Sequence, residues 1–507
     1  MKYLLGIDLG TSSTKTVLFD ETGIRVASAT VEYPLYQPQN GWAEQDPKDW
    51  YDATIKTIKA VLEDSGVNAA DVLSLGIAGQ MHGLVLVDVK GEVLRNSIIW
   101  CDGRTQKQCD EITEMIGYKR LIEITANPAL TGFTLGKILW VRENEKEIFD
   151  KAKTVLLPKD YVRYKLTGKL NMEISDASGM NLLNISTRKW SDEIIEKLDL
   201  DRALFPELCE SAEVVGTITK EISEITGLSQ VTQVVGGAGD NAAAAIGMGV
   251  CAKGRAFTTI GTSGVVFAHS DEVTVDKEGR VHTFCAATKG GYTVMSCTLA
   301  AGLSLKWLRD NLCKEEMQEA QKTNEDVYNI MTNKAIKSPI GANRLLYLPY
   351  LMGERSPILD SDARGAFLGL SGMHEKKDMI RSVMEGVMYS QRHCLDVLRE
   401  MGVAPTTMLA CGGGGKSPFW RQMMADIFSC PVKTAAVDEG PALGVAILAG
   451  VGAGVWEDVK TACDKVVVYN PAIESIVENT VEYEKFYELY REGYPSLQTL
   501  YSKLSNM

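Results

Sequence analysis

One plan of construction occurs twice in this chain, about half a chain apart. Tyr3 to Ile7 is apolar, Asp8-Leu9-Gly10-Thr11-Ser12-Ser13 is small and polar, and Val17-Leu18-Phe19 resumes an apolar run. Ala256 to Ile260 is apolar again, Gly261-Thr262-Ser263-Gly264 turns, and Val265-Val266-Phe267-Ala268 continues. Short apolar runs bounded by Gly and polar residues read as strands joined by tight turns. A strand, a Gly-Thr-Ser turn and a returning strand in each half predict two domains of one design. The length of 507 residues agrees, because one hydrophobic core stops growing beyond about 250–300 residues.

The elements around these hairpins point to α/β layers. Asp46 before Pro47 is an N-cap signal, Trp50, Thr54, Ile58, Val61 and Leu62 mark a buried helical stripe, and Gly66 stops it. Leu73, Leu75 and Ile77 alternate in a strand that runs into Gly79-Gln80-Met81-His82-Gly83. In the second half an amphipathic helix is predicted over about 376–400, and a strand at 408–411 enters Gly412 to Gly415 before a helix through Phe428. Asp438-Glu439-Gly440-Pro441 opens a further apolar helix, and a last helix covers about 482–504. The polar stretch from Glu173 to Lys189 reads as an insertion. The halves divide at 1–250 and 251–507.

Charge and cysteine usage narrow the class. A formal net charge of -13 argues against general binding to nucleic acid or anionic membranes. Eleven cysteines stand singly with no C-x-x-C pair, which suits free thiols in a reducing cytoplasm. An acid already at Asp8 is too early for a signal peptide, and the uncharged 17 residues from Gly440 to Trp456 suit a buried helix better than a membrane span.

Several motifs can carry chemistry, each beside a plainer reading. The turn from Thr11 to Ser13, with Lys15 beyond it, offers N–H groups and hydroxyls to phosphate oxygens, or is a simple hairpin turn. Asp8 at the strand end is placed to hold a hydrated Mg²⁺. Gly412 to Gly415 lets a flat purine or a phosphate lie on the backbone, or lets a helix pack closely on a sheet. It is no P-loop, since the pattern ending in Lys416-Ser417 needs Gly where Ala410 stands.

Gly236-Gly237-Ala238-Gly239-Asp240-Asn241 mimics a dinucleotide fingerprint. Asp240 would face a pyrophosphate there, and no acid follows until Asp271. A glycine floor exposing one carboxylate suits Asp240 as general base for a hydroxyl attacking phosphorus, and an N-cap role is compatible. His82 after Met81, at a strand end, can hydrogen-bond a small polyol or pack as a core histidine. Trp100-Cys101-Asp102-Gly103-Arg104 suits a sugar pocket or a structural turn with an ion pair.

Together these segments resemble the carbohydrate kinases named for their FGGY signature, within the wider actin-like and hexokinase superfamily. The likeness runs from Gly6-Ile7-Asp8-Leu9-Gly10-Thr11 through the segments at 234–241, 260–264, 348–357 and 412–426 to Gly440-Pro441-Ala442-Leu443-Gly444. Within the family, the segments at 76–83, 156–161 and 175–179 are similar to those of the D-xylulose-phosphorylating branch, and Met81-His82 stands where glycerol kinases carry Arg-Glu. The resemblance implies an α/β fold of two actin-like (ribonuclease H-like) domains with an interdomain catalytic cleft. It implies transfer of the γ-phosphoryl of Mg-ATP to O5 of D-xylulose, with sugar held mainly by the first half and ATP by the second.

Residue by residue, the resemblance makes Asp240 the base and Met81 and His82 the substrate-binding pair, joined by Trp100 and Asn241. Asp8 organises Mg²⁺. Thr11, Ser12, Ser13, Lys15, Gly261 and Thr262 hold phosphates, and Gly302, Lys306, Gly413, Gly414 and Ser417 face the nucleotide. The expected partners are sugar and ATP, with no nucleic acid or membrane, and a homodimer is left open. Rival readings are another ketose, a pentitol or an aldonate as acceptor, and a non-catalytic actin-like nucleotide switch.

Overall fold

The computed structural model describes residues 2–437 and 439–507; Asp438, read as part of the start of the apolar helix, lies outside the described residues. The repeated hairpins become the centres of two sheets. In the first, strands β1 (Tyr3–Leu9), β2 (Ser13–Asp20) and β3 (Arg25–Glu32) form an antiparallel meander. Strand β4 (Val72–Gly79) then runs parallel to β1. With β5 (Val214–Thr217) and β6 (Gln233–Val235) the order is β5-β6-β4-β1-β2-β3, and β7 (Ala238–Gly239) also pairs with β4.

The second sheet repeats the arrangement. It contains β8 (Arg255–Ile260), β9 (Gly264–Ser270), β10 (His282–Cys285), β11 (Tyr292–Thr298), β12 (Thr407–Cys411) and β13 (Val432–Lys433), in the order β10-β11-β9-β8-β12-β13. β8, β9 and β11 are antiparallel neighbours, and β12 is parallel to β8 as β4 is to β1. The two ribonuclease H-like α/β units expected from the sequence are therefore present.

Helices cover both sheets. The first is α1 (Pro47–Ser65), whose start and stop follow the sequence signals: the Asp46 carboxylate accepts the Lys48 N–H, and Gly66 takes a left-handed φ of 62°. It is followed by α2 (Thr134–Asn144), α3 (Pro158–Thr167), α4 (Asp240–Gly247), α5 (Gly302–Leu312) and α6 (Lys376–Glu400). The last three are α7 (Pro418–Phe428), α8 (Gly440–Gly452) and α9 (Val477–Ser505). Helix α9 begins earlier than the periodicity suggests and buries Tyr483, Tyr487, Tyr490 and Tyr501 in the core of the second half.

Helix α8 is apolar all round because it is covered on opposite sides. Its residues pack with Leu4, Val17 and Phe19 of the first sheet and with Ala243 and Ile246 of α4. Backbone approaches backbone here: a Cβ on Gly6 would lie 1.9 Å from the Ala442 carbonyl, and one on Gly444 would lie 1.8 Å from that of Ala243. Glycine permits both crossings, so a segment late in the chain completes the core of the first sheet. Among the described residues no helix is long and apolar enough to cross a membrane.

Candidate functional site

Parallel strands deliver the acids to one edge. Asp8 and Ala238 both register with Ala78 of β4, so Asp8 and the start of α4 emerge side by side at the carboxyl ends of the central strands. Ligands of open α/β sheets bind at that edge. Helix α4 begins at Asp240 itself, with Gly239 as the cap residue, so Asp240 sits in the first turn rather than at the N-cap position. Its Oδ1 accepts the Asn241 N–H at 2.6 Å and the Asn241 side-chain N–H at 3.1 Å.

Burial pushes the Asp240 carboxyl up to about 7, opposed by the Asn241 N–H and reinforced by the Asp8 charge. Burial likewise raises Asp8 to about 6, against the pull of Lys15. The Asp8 charge disfavours ionisation of Asp240, so a cation between the strand ends would be favoured. The donor set fits Mg²⁺, which takes one or two carboxylates and completes its shell with waters and phosphate oxygens. Among the described residues no cluster of three or more His, Cys, Asp or Glu forms a closed metal cage.

Met81, His82, Trp100, Asp240 and Asn241 all line one cavity of about 810 Å³. A Cβ at Gly239 would lie 2.9 Å from Met81 Cγ, so the glycine floor is what admits the thioether beside Asp240. His82 holds a left-handed φ of 70°, rare for a residue with a Cβ. Its Nδ1 lies 2.7 Å from the Gly179 carbonyl, which can only accept, so Nδ1 carries the proton and Nε2 is an acceptor. Burial, with the Lys137 charge adding to it, lowers His82 to about 3 and keeps the ring neutral. The ring packs on Phe133 at 4.7 Å between centroids.

Lys137 Nζ, wholly buried, donates to the His82 carbonyl at 2.8 Å and to the Gly132 carbonyl at 2.7 Å. It ties together the two segments that carry His82 and Phe133.

The 100–104 segment both lines the cavity and makes a structural turn. Trp100 lines the cavity, and its indole N–H donates to Thr11 Oγ1 at 2.9 Å. Asp102 and Arg104 form a buried ion pair at 2.7 Å. The stretch from Glu173 is not an insertion: residues 172–183 are buried. Lys159, in the 156–161 segment, bonds Asp160 at 2.9 Å and lies 3.2 Å from Asp176 and 3.4 Å from Glu173. Arg163 joins Asp160 at 2.8 Å and donates to the Gly236 carbonyl, while Ser175 Oγ accepts the Gly239 N–H at 3.1 Å. The polar residues are inside because they neutralise one another beneath the glycine floor.

A second cavity of about 700 Å³ gathers Gly261, Thr262, Gly302, Lys306, Gly413, Gly414 and Ser417. The glycine run divides its labour. Cβ atoms at Gly412 and Gly414 would meet Ile260 at 2.9 and 2.6 Å, whereas one at Gly413 has nothing nearer than 3.9 Å. Gly412 and Gly414 serve close packing, and Gly413 leaves the backbone open to a ligand. Gly302 donates its N–H to the Gly261 carbonyl at 2.7 Å, fixing α5 on the second glycine turn. The Ser417 hydroxyl caps α7 through the Trp420 N–H at 3.5 Å, so Ser417 is also structural.

Thr11, Ser12, Ser13 and Lys15 do not line that cavity. They belong to the first sheet, where Gly10 N–H donates to the Ser13 carbonyl at 3.0 Å, and Gly261 N–H makes the matching 3.1 Å bond to Ser263 in the second. Lys15 is bonded to Glu439 at 2.8 Å, alongside Arg25.

Sequence reasoning missed residues brought in from far along the chain. Phe133, His282, Phe284, Glu354 and Arg355 line the first cavity, and Asp326, Tyr328, Asn329 and Lys416 line the second. Glu354 and Arg355 lay within a recognised segment, but with no cue to their facing partners.

Two matching glycine turns, two strand-end acids raised by burial and a cavity shared by Asp240 and His82 define a phosphoryl-transfer enzyme of the two-domain kind. Residues 3–247 match the N-terminal domain and residues 256–453 the C-terminal domain of the FGGY family of carbohydrate kinases, and the chain belongs to that family. It is 40% identical over 506 residues to the xylulose kinase of Bacillus subtilis, covering 100% of this chain and 99% of that one. It is 32% identical over 466 residues to a gluconokinase of the same organism, covering 92% and 90%. The crystal structure of ligand-bound xylulose kinase from Lactobacillus acidophilus matches with a TM-score of 0.91 at 28% identity, over 99% of this chain and 100% of that one. The chain is a phosphotransferase acting on a sugar hydroxyl.

Proposed function

We propose that this enzyme transfers the γ-phosphoryl group of ATP to O5 of D-xylulose. The observation that carries the reading is the meeting of Met81, His82, Asp240 and Asn241 in one cavity, in a chain 40% identical end to end to a xylulose kinase. The sugar lies against Met81 and His82, with the neutral His82 Nε2 accepting a hydroxyl proton. As the O5–P bond forms and the bond from the γ-phosphorus to the bridging oxygen of ADP breaks, the O5 proton passes to the Asp240 carboxylate. Asp8 would hold Mg²⁺, whose chemistry when bound is to neutralise the phosphate charge. Backbone N–H groups of the turns at 10–13 and 261–264 orient the phosphates, and the cavity lined by Gly302, Lys306, Gly413 and Gly414 takes the nucleoside.

A cytoplasmic location is supported by eleven cysteines that are all unbridged. The test of substrate is ATP-dependent product formation across D-xylulose, D-ribulose, xylitol and D-gluconate. D-xylulose should give the highest kcat/KM. A higher value for gluconate would move the reading to the aldonate branch.

A further inference from the structure

Arg355 reaches the sugar cavity from the second half; its backbone N–H donates to Glu354 Oε1 at 2.8 Å, while its guanidinium pairs with no carboxylate among the described residues. Its position is fixed by a chain of obligatory donors and acceptors. The Asn127 amide N–H₂ donates to the carbonyls of Thr125 at 2.9 Å and Thr283 at 3.0 Å, which leaves Asn127 Oδ1 as acceptor. His282 Nδ1, 2.7 Å from that oxygen, must carry the proton. Its Nε2 is therefore unprotonated and accepts an N–H from Arg355 Nη2 at 3.1 Å. Asn127 comes from the first half, His282 and Arg355 from the second, so the relay spans the cleft. Burial, together with the Arg355 charge, holds His282 well below its ordinary value and keeps it neutral.

The guanidinium uses one of its five N–H donors on His282 and has no acceptor function at all. Among the other polar groups of this cavity, the Trp100 indole N–H is already given to Thr11, while the Asp240 carboxylate, His82 Nε2 and the carboxyl of Glu354 can each accept a hydrogen bond from a hydroxyl. Sugar hydroxyls can satisfy those groups. A donor-only fork complements an oxygen that carries no proton, the carbonyl of an open-chain ketose.

We infer that Arg355, oriented through His282 and Asn127, binds the ketose carbonyl and sets the preference for a ketose over its pentitol. The inference rests on the sugar-kinase reading above and names the group that selects within it. A site that donates to a substrate oxygen discriminates by the bond it loses, and a bond from a charged donor contributes about 1.5–3 kcal/mol, or roughly 10- to 150-fold.

The test is the ratio of kcat/KM for D-xylulose to that for xylitol, in the full-length enzyme and in Arg355→Met, Arg355→Lys and His282→Phe, with thermal melts. Arg355→Met should collapse the wild-type ratio at least tenfold, mostly through KM for the ketose. Arg355→Lys, which keeps a charge and loses the fork, should fall between. His282→Phe keeps the ring and removes the relay, so as a positioning variant it should lower the ratio while preserving the fold. A folded Arg355→Met enzyme with the wild-type ratio would overturn the inference and leave the kinase reading intact. A wild-type enzyme inactive on every ketose would instead overturn the D-xylulose reading on which the inference rests. If Arg355→Met does not fold, the Lys and Phe variants decide, and an unchanged ratio in both would overturn the inference.

Discussion

Replacing Lys137 by Met should damage sugar recognition without touching the nucleotide side. The side chain is 0% exposed, and its nitrogen bonds two carbonyls, those of His82 and Gly132. Burial lowers its pKa to about 7, so near neutrality it is divided between ammonium and amine. Both forms have N–H groups enough for the two carbonyls, so charge is not what the variant removes. Met leaves the Gly132 carbonyl unpaired and the His82 carbonyl with only the Thr134 hydroxyl at 3.2 Å, at about 1–3 kcal/mol for the lost acceptor before relaxation. His82, held at a φ of 70°, stores about 1–3 kcal/mol of backbone strain and is the segment free to relax.

Relaxation turns the His82 ring out of its pocket, and a loss of about 1.4 kcal/mol there is tenfold in binding. KM for the ketose should therefore rise at least tenfold, KM for ATP should change less than twofold, and the melting temperature should fall. Lys137→Gln, whose amide offers two donors on a shorter stem, should recover part of the ketose KM. The assay is steady-state kinetics with each substrate varied in turn. A folded Lys137→Met enzyme with an unchanged ketose KM would refute the argument that this lysine holds His82.

Three further outcomes follow from the geometry. Because Asp240 is raised to about 7 and must be ionised to accept a proton, kcat/KM for the ketose should fall about tenfold per pH unit below that value. A flat profile from pH 5.5 to 8 (about one and a half units below the limb to one above) would contradict it. Asp8→Asn should raise the Mg²⁺ concentration needed for half-maximal rate while sugar binding stays near wild type, and an unchanged requirement would remove Asp8 from the metal. Addition of ketose with a nonhydrolysable nucleotide should compact the enzyme in small-angle scattering, since closure excludes water that would compete for the phosphoryl group; an unchanged radius of gyration would count against it.

The sequence disclosed what depends on local chemistry. The hairpins at 3–20 and 256–270, the cap and stop of α1, and the glycine floor before Asp240 are set by neighbours in the chain, and each stands where periodicity and turn residues put it. What stayed hidden depends on long-range pairing. Glu173 and Asp176 look like surface residues until Lys159 is placed against them. The glycines at 6 and 444 reveal little until α8 is seen to cross the first sheet. Arg355 and His282, 73 residues apart, meet only through the second sheet and the loop after it. The second cavity shows the same contrast, since its glycines were legible and Tyr328 and Asn329 were not.

Acceptance of the hydroxyl proton by Asp240 is the step on which the proposed mechanism depends most. Asp240→Asn is nearly isosteric and keeps an oxygen for the two Asn241 bonds, so the fold should survive. Steady-state turnover with D-xylulose and Mg-ATP, run beside a thermal melt, measures the role directly. Turnover should fall about 10²–10⁴-fold with only a modest rise in KM for the sugar. A folded Asp240→Asn enzyme turning over near the wild-type rate would contradict the mechanism and leave Asp240 as part of the helix start alone.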